Sequence, residues 1–403
     1  MYVRRIRLTN IRLFKSLDLE ITRGSSSKAR MRTVFIGKNG TGKSTLLRCL
    51  AIALTNSEQE RTVLLKEIGS TLVGPRGDVG VIEVTVDRFP YDRDFDDVES
   101  VRQIRLEIRA NGVSGSELSV RSIPIVFGYG PGRFASGPVS SRVESTNFCR
   151  TLFRFDGRLA DPELALRRLQ DFLGSSTYDV TMTGIKRAIG LSAADQISVE
   201  KGGGVVVKTK SGSFPLSALA DGHRVPFGFA LDLYHSALQA DAVTKTGGIH
   251  GVLLLDEIEQ HLHPELQAGV LKRFGRLWPE LQIFATTHSP LVALGAKPDE
   301  VVSLKRRGAS VSAIWPVPNF TAFTADDMLE EHQLFDTVAM TTASAQELAK
   351  YQQLAAIPRV KRSKSQNAKL KKLATAQLAG QPEAAQSNPL GDLMLDVRKK
   401  FGL

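Results

Sequence analysis

The sequence predicts an α/β fold whose central sheet is mixed or parallel. Downstream of residue 215, helical and short apolar segments alternate, at 221–240, 249–255, 264–277 and 281–286. Near the start of the chain, an apolar segment at 32–37 precedes an apolar helix at 45–54. Short apolar strands that alternate with helices are typical of a parallel sheet with both faces covered.

Composition and length support a globular protein with more than one lobe. Of 403 residues, 42% are hydrophobic and 24% are charged, which is ordinary for a folded chain. No apolar run reaches the length of a membrane span, and the basic start lacks the apolar core of a signal peptide, so we expect a cytoplasmic protein without membrane partners. Cys49 and Cys149 lack paired spacing and predict neither a disulfide framework nor a zinc site.

Changes in pattern along the chain predict its domain organisation. Residues 1–335 form the main domain, with an antiparallel β insertion at about 56–124 and a helical lobe at about 136–220. Residues 336–403 are basic and rich in polar residues, and they predict a tail that is partly helical and partly disordered. We interpret this tail as a segment for partner docking.

The net charge of +11 is concentrated at the two ends of the chain. Residues 1–48 hold twelve Lys and Arg against two acidic residues, and residues 359–403 hold ten against three. Such clustering is typical of a surface for nucleic acid, DNA or RNA, or for an acidic partner. Solvated strands and a loose tail would give the same composition, so both interpretations remain open.

The strongest motif is GKNGTGKS at 37–44, which follows an apolar strand and opens a helix. It matches the phosphate-binding loop in full, because backbone N–H groups of a glycine-rich turn and a helix N-terminus together hold phosphates. The expected nucleotide-binding residues are Gly37, Lys38, Asn39, Gly40, Thr41, Gly42, Lys43, Ser44 and Thr45. Lys43 would contact the β- and γ-phosphates, and the Ser44 hydroxyl would bind Mg²⁺.

A second motif, GVLLLDEIEQHLHP at 251–264, places two carboxylates at the end of an apolar strand. Ligands bind at the carboxyl ends of strands in open α/β sheets. Asp256 would hold Mg²⁺ through water, and Glu257 would polarise the water that attacks the γ-phosphate. Two adjacent carboxylates also suit a plain helix N-cap.

Two further motifs point to phosphate chemistry. Another apolar strand ends in TTHSP at 286–290, where His288 is a candidate to hydrogen-bond a γ-phosphate. The segment Asp221, Gly222, His223 and Arg224 opens a long helix, and its N-terminus is a candidate anion site. An ordinary N-cap explains the local sequence of this second segment equally well.

Taken in order, these motifs and the segment GYGPGR at 128–133 resemble an ABC-type ATPase head of the SMC/RecF/OLD group. Within that group they look most like the stand-alone ATPases of bacterial anti-phage systems, such as PtuA of Septu and retron-associated ATPases. The resemblance implies a P-loop ATPase head that binds ATP and Mg²⁺. It also implies a head-to-tail homodimer, or a larger oligomer, in which Asp221–Arg224 of one subunit faces the ATP bound to the other.

The sequence departs from the family pattern at two positions. Ala220 replaces the signature serine that contacts the γ-phosphate in the family, so that contact would depend on the Gly222 backbone and hydrolysis is expected to be slow. The segment Gly128–Arg133 contains no glutamine, so the family's metal-contacting glutamine has no counterpart there.

The sequence lacks heptads and nuclease motifs, and this restricts the functions that it can have. No heptads lie between Ser44 and Gly222, which excludes the long coiled-coil arms of SMC proteins. No Asp-x-Asp follows His288 and no His-Asn-His constellation is evident, so we expect that the chain itself cuts no nucleic acid. The prediction is a regulatory or sensor ATPase that controls a separate effector, a nuclease or toxin, in anti-phage defence.

Two other functions remain as alternatives. One is a RecF-like DNA-repair ATPase that binds duplex DNA through its basic N-terminal residues. The other is the cassette of an ABC transporter, which the extension after Asp256 and the β insertion disfavour. Both would use the same phosphate loop, so the difference between these functions lies outside the nucleotide motifs.

Overall fold

The computed structural model describes most of the main domain and a few residues of the tail. The described residues are 1–23, 28–55, 57–68, 72–75, 77–87, 101–109, 112–115, 124–133, 148–154, 157–200, 203–315, 319–331, 333–335, 350, 354, 362–363 and 365–370. Contacts divide the chain into two compact units, Met1–Asp336 and Thr337–Leu403. The first unit carries all the motifs described above.

The described strands are β1 (Tyr2–Ile11), β2 (Phe14–Glu20), β3 (Arg32–Ile36), β4 (Gly80–Asp87), β5 (Val101–Arg109), β6 (Gly112–Gly115), β7 (Val126–Tyr129), β8 (Gln196–Val199), β9 (Val205–Thr209), β10 (Gly212–Pro215), β11 (Gly251–Leu255), β12 (Leu281–Thr286), β13 (Val301–Arg307) and β14 (Ser310–Ile314). The described α-helices are α1 (Lys43–Leu54), α2 (Glu58–Ile68), α3 (Arg150–Phe153), α4 (Pro162–Leu173), α5 (Ser175–Ala188), α6 (Asp221–Gln239), α7 (Pro264–Gln267), α8 (Val270–Leu277), α9 (Pro290–Gly295) and α10 (Ala325–Glu330).

The core of the first unit is a six-stranded sheet in the order β14-β13-β3-β12-β11-β7. Five of its strands run parallel, and β14 pairs antiparallel with β13 at one edge. Strands β3, β11 and β12, which lead into the three phosphate-related motifs, are neighbours in this sheet. The predicted α/β fold with a mixed core sheet is confirmed, and the carboxyl ends of these three strands meet at one edge.

A second sheet packs beside the first, in the order β2-β1-β4-β5-β6. All its pairs are antiparallel, and β4 pairs directly with β1. The strands expected within the insertion at 56–124 therefore continue the sheet that the first two strands begin. Buried Gln282 of β12 joins the two sheets, because its side chain accepts from the Val3 N–H and donates to the Val3 carbonyl.

Alternating side chains place a separate hydrophobic cluster on each face of the core sheet. On β11, Val252 and Leu254 face a cluster formed with α1 and the second sheet. Leu253 and Leu255 face the other cluster, which includes residues of α4, α5, α6 and α8. A strand buried on both faces reads as a continuous apolar run, which explains the sequence GVLLL. The sheet is thus fixed between two layers and presents rigid strand ends.

Several predicted elements differ from the structure in extent. The helix expected at 264–277 is interrupted at residues 268–269, because Gly269 adopts φ −117° and ψ 1°, and α8 starts anew after it. The helix expected at 325–334 starts with the capping box of Thr324 and Asp327 but ends at Glu330. The tail helices expected at 343–356 and 390–400 lie outside the described residues, apart from residues 350 and 354, which are helical. Among the described helices, none combines the length and apolar character needed to cross a bilayer.

Candidate nucleotide site

The phosphate-binding loop connects β3 to α1 and takes a conformation that requires glycine. Gly40 and Gly42 have φ values of 75° and 88°, in the left-handed region that other residues avoid. A Cβ atom on Gly42 would lie 2.8 Å from the ring of Phe14. Gly42 is also the N-cap of α1 and supplies no side-chain cap. The first N–H groups of α1 therefore lack a side-chain acceptor and, with the helix dipole, form an anion site.

Lys43 is held inside this loop. Its side chain is 6% exposed, and its Nζ donates to the carbonyls of Gly37 at 2.7 Å and Lys38 at 3.2 Å. Burial lowers the pKa of Lys43 to about 8, although the nearby carboxylates of Asp256, Glu259 and Glu257 raise it. The structure therefore brings Lys43 close enough to Asp256 and Glu257 for their charges to interact.

Asp256 follows β11 and is buried, with 3% of its side chain exposed. The hydroxyl of Thr286, at the end of neighbouring β12, donates to Asp256 Oδ1 and accepts from the Glu257 N–H at 2.9 Å. This bond fixes the carboxylate at the sheet edge. Across the described residues, no group of three or more His, Cys, Asp or Glu side chains forms a metal cage. A single carboxylate with the Ser44 hydroxyl fits Mg²⁺, which takes most of its remaining ligands from phosphates and water.

Glu257 has an unusual backbone conformation that a buried arginine supports. Its φ is 50°, a conformation that costs a non-glycine residue about 1–3 kcal/mol. Arg133, only 4% exposed, donates from Nη2 to the Glu257 carbonyl at 2.6 Å and from Nη1 to the carbonyls of Asp256 at 2.7 Å and Gly130 at 3.0 Å. The Glu257 backbone is therefore held on both sides, by Thr286 at its N–H and by Arg133 at its carbonyl.

The ionisation of Glu257 is also perturbed. Burial raises the pKa of its carboxyl group, and the carboxylates of Asp256 and Glu259 raise it further. Arg133 and Lys43 act in the opposite direction. A carboxylate whose pKa moves toward neutrality is a better proton acceptor for water.

His288 lies close to Lys43, Glu259 and Asp256. Burial lowers the pKa of its imidazole and the charge of Lys43 lowers it further, whereas Glu259 and Asp256 act in the opposite direction. Glu259 holds the local backbone, because it accepts from the His288 N–H and from the Thr287 hydroxyl, each at 2.7 Å. The lowered pKa favours the neutral imidazole, which can still form hydrogen bonds.

The predicted anion segment at the start of α6 lies next to the loop that follows Glu257. Its N-cap, Ala220, makes no side-chain cap bond, and an added Cβ on Gly222 would lie 3.6 Å from the carbonyl of His261. Arg224 pairs with Asp221 at 2.6 Å, and the Asp221 side chain is 69% exposed. The backbone N–H groups of His223 and Arg224 bond to the Ala220 carbonyl. This segment thus lies at the surface next to the carbonyl of His261, with Asp221 exposed and Gly222, His223 and Arg224 partly buried.

Helix α6 is connected to the edge of the core sheet at which Asp256 lies. The Tyr129 hydroxyl donates to Asp232 of α6 at 2.6 Å, while the Tyr129 carbonyl accepts from the Asp256 N–H at 2.8 Å. Asp232 also accepts from the backbone N–H of Ala160. A displacement of α6 would therefore be transmitted through Tyr129 to the end of β11, where Asp256 lies.

Three residues of this site were not predicted from the sequence. Arg133 lies in the GYGPGR segment, but the pattern gave no role to its side chain. Glu259 lies within the LLLDEIEQHLHP motif, two residues after Glu257, and that spacing is the signal for it. Arg12, at the turn after β1, donates to Thr45 of the phosphate loop at 3.3 Å, a contact between segments that no local pattern shows.

Two family models match this chain. The model "AAA ATPase domain" matches residues 1–108. The model "AAA domain, putative AbiEii toxin, Type IV TA system" matches residues 149–294. The first match contains the phosphate loop, and the second contains the motifs around Asp256 and His288.

Curated relatives and solved structures share parts of the chain. A Septu protein PtuA of Bacillus mycoides (strain KBAB4) is 23% identical over 84% of this chain and 45% of its own length. A retron Vc95 probable ATPase of Vibrio cholerae serotype O1 biovar El Tor is 29% identical over 20% of this chain and 16% of its own length. The chain thus spans less than half the length of these curated relatives.

Among solved structures, an SmcHead bound to the C-winged helix domain of ScpA has a TM-score of 0.49 at 16% identity, over 78% of this chain and 97% of that one. An SMC head domain from Thermotoga maritima has a TM-score of 0.42 at 14% identity, over 79% and 100%. One family model describes an AAA ATPase domain and the other an AAA domain, so in these two segments the chain is similar to AAA ATPases, as its motifs indicate.

Proposed function

We propose that the chain binds and hydrolyses MgATP and acts as a regulatory ATPase of anti-phage defence that controls a separate effector. The observation that carries the proposal is the cluster of Lys43, Asp256, Glu257 and His288 at one sheet edge. The names of the Septu and retron relatives support the defence assignment. The nuclease or toxin effector follows from the family resemblance alone.

The proposal gives a task to each residue of the cluster. The N–H groups at the start of α1 and the Lys43 ammonium would bind the phosphates, and Ser44 and Asp256 would hold Mg²⁺. When bound, the ion supplies positive charge that offsets the negative charge of the phosphates. Glu257 would accept a proton or hydrogen bond from the attacking water, and His288 would donate to the γ-phosphate. Arg133 and Thr286 keep the Glu257 backbone in place.

The proposed dimer is head-to-tail, with ATP between two subunits. The exposed start of α6 supports it, since uncapped N–H groups at a helix terminus suit a phosphate on another molecule. Ala220 supplies no hydroxyl, so only backbone groups and the helix dipole would act on that phosphate. We therefore expect slow turnover compared with a family member that has a serine there.

The tail at 336–403 is proposed to dock the effector, because 359–403 is strongly basic. Affinity purification of the tagged full chain, with mass spectrometry, tests this proposal. A stoichiometric nuclease or toxin should copurify, and deletion of 359–403 should release it while ATP binding survives. Equal recovery of the effector with the deleted chain would remove the tail from the proposal.

The RecF-like alternative is less well supported, because ion pairs occupy much of the N-terminal charge. Of the twelve basic residues in 1–48, at least six form salt bridges with described residues. The pairs are Arg4 with Asp87, Arg5 and Arg7 with Asp18, Arg23 and Arg30 with Asp299, and Arg32 with Glu300. An arginine that already forms a salt bridge gains less free energy from contact with a DNA phosphate than an unpaired arginine does. DNA-stimulated hydrolysis that disappears with salt would restore this alternative.

The nucleotide part of the proposal is tested by binding. Titration of MgATP into the wild-type chain should give saturable binding, and Lys43→Ala should lose it. Lys208→Ala, which removes an exposed lysine of β9 outside the phosphate loop, is the matched control and should bind as wild type. Binding that survives Lys43→Ala at full strength would refute the assignment of the phosphate loop.

A further inference from the structure

A groove lies between α5 and α8. It lies at the end of the core sheet that is opposite to the nucleotide site. Its volume is about 490 Å³, within the range of about 300–1,000 Å³ typical of small-molecule sites. Residues 246–248, just before β11, and Glu280, just before β12, form part of its wall. The catalytic residues follow the carboxyl ends of these strands, so the groove lies at their amino ends. The five residues of β11 span about 16 Å, which separates the two sites.

Three arginines line this groove from two helices. Arg187 is in the last turn of α5, and Arg273 and Arg276 lie in α8. Arg187 and Arg276 are exposed, and in the part of the chain that the structure describes neither forms an ion pair. A cation near a helix C-terminus is stabilised by the helix dipole. Here the C-terminal turns of α5 and α8 both contribute an arginine to one concave surface.

The third arginine is more buried and incompletely bonded. Arg273 donates from Nη2 to the Leu266 carbonyl, while its buried Nε finds no hydrogen-bond partner among the described residues. Buried donors without a partner are rare in folded proteins. The groove thus contains guanidinium groups with unused donors, and Glu280 is the one acidic side chain in its described lining.

The rest of the lining defines what the groove accepts. Val180 is 71% exposed, and Ala188 and Leu277 add apolar surface. Two backbone donors of the loop are already used, because the N–H groups of Gly247 and Gly248 bond to Thr244. The arginines are therefore the charged donors that an anion would meet, while an apolar body packs beside them.

We propose that this groove is a second binding site, which takes an organic phosphate of about mononucleotide size. Three arginines against one glutamate leave an excess of two positive charges, and a phosphate monoester carries about −1.5 to −2 at neutral pH. Guanidinium groups bind phosphate oxygens in pairs, which gives both orientation and affinity. The site is independent of ATP binding and of the proposed regulation.

Arginine protection tests the proposal on the full chain, with phenyl phosphate as the probe. Phenylglyoxal modifies accessible guanidinium groups, and mass spectrometry measures each modification separately. Phenyl phosphate at about 1 mM should protect Arg187 and Arg276, while uncharged phenol should not. Arg306 and Arg307, exposed on β13, serve as internal controls and should remain reactive.

Calorimetry with phenyl phosphate gives the second measurement. Arg187→Ala with Arg276→Ala should weaken binding by about tenfold or more, while Arg306→Ala with Arg307→Ala removes the same charge and should not. Lys43→Ala should leave this binding unchanged, which separates the groove from the phosphate loop. Equal protection of all four arginines, or binding lost only in Lys43→Ala, would overturn the proposal. Protection by a polyglutamate peptide and not by phenyl phosphate would also overturn it, in favour of an acidic protein segment.

Discussion

Replacement of Arg133 by methionine should uncouple catalysis from nucleotide binding. Methionine keeps much of the side-chain volume but removes three hydrogen bonds, to the carbonyls of Gly130, Asp256 and Glu257. Bonds from a charged donor contribute about 1.5–3 kcal/mol each, and buried carbonyls left without donors add a cost. Part of this loss is recovered, because burial of the guanidinium is itself unfavourable and lowers the pKa of Arg133 to about 10. The net loss in the free energy of unfolding should be about 2–4 kcal/mol.

The catalytic effect of this change follows from the backbone of Glu257. Without Arg133, the left-handed conformation of Glu257 loses the bond at its carbonyl and can relax, which moves the carboxylate. General-base catalysis contributes about 10²–10⁴-fold, so kcat should fall by about 10- to 100-fold. The affinity for MgATP should change little, because Arg133 contacts no residue of the phosphate loop in the described hydrogen bonds.

Phosphate-release kinetics measure kcat, and nucleotide titration measures the affinity for MgATP. Urea unfolding measures the free energy of unfolding. Arg133→Lys keeps the charge and one or two donors, so it should recover part of kcat. Arg307→Met, on the exposed part of β13, is the matched control and should behave as wild type. A folded Arg133→Met chain with wild-type kcat, or one that loses ATP affinity while kcat stays constant, would refute the positioning role.

Three other predictions concern pH, the loop and the connection to α6. Because the pKa of Lys43 is lowered to about 8, its side chain is a charged ammonium below that pH. Above that pH it is a neutral amine, which must take up a proton when the nucleotide binds. The Kd for MgATP should therefore rise by up to about tenfold per pH unit above pH 8, and a constant Kd to about pH 9.5 would contradict the shifted pKa. Gly42→Ala places a Cβ atom at a residue with φ 88° and only 2.8 Å from Phe14. It should therefore abolish nucleotide binding and lower stability by about 1–3 kcal/mol. Normal binding would show that the loop has another conformation. Tyr129→Phe leaves partly buried Asp232 without its hydroxyl donor. This change should lower stability by about 1–3 kcal/mol in urea unfolding, and an unchanged midpoint would remove this bond from the account.

The sequence predicts the fold and the nucleotide motifs because both depend on local patterns. An apolar run such as GVLLL predicts a strand buried on both faces, and GKNGTGKS carries the glycines that its turn requires. The neighbouring positions of β3, β11 and β12 then bring the motifs together without any further signal.

The contacts that the sequence does not predict join residues that are distant in the chain. Arg133 meets Glu257 across 124 positions, and Gln282 meets Val3 across 279. Local periodicity carries no information on such pairs. The break between α7 and α8 is also not visible in the sequence, since a glycine is tolerated within a helical pattern and Gly269 takes φ −117° and ψ 1° in the structure.

The central claim is that Glu257 acts on water at a site where Lys43 holds ATP. Its most direct test is a comparison of single-turnover ATP hydrolysis and ATP binding in the wild-type chain and in Glu257→Gln. The isosteric amide keeps the geometry but accepts no proton, so we expect unchanged ATP affinity and a hydrolysis rate lower by about 10²-fold or more. Hydrolysis by Glu257→Gln at the wild-type rate would contradict the account, because another group would then activate the water.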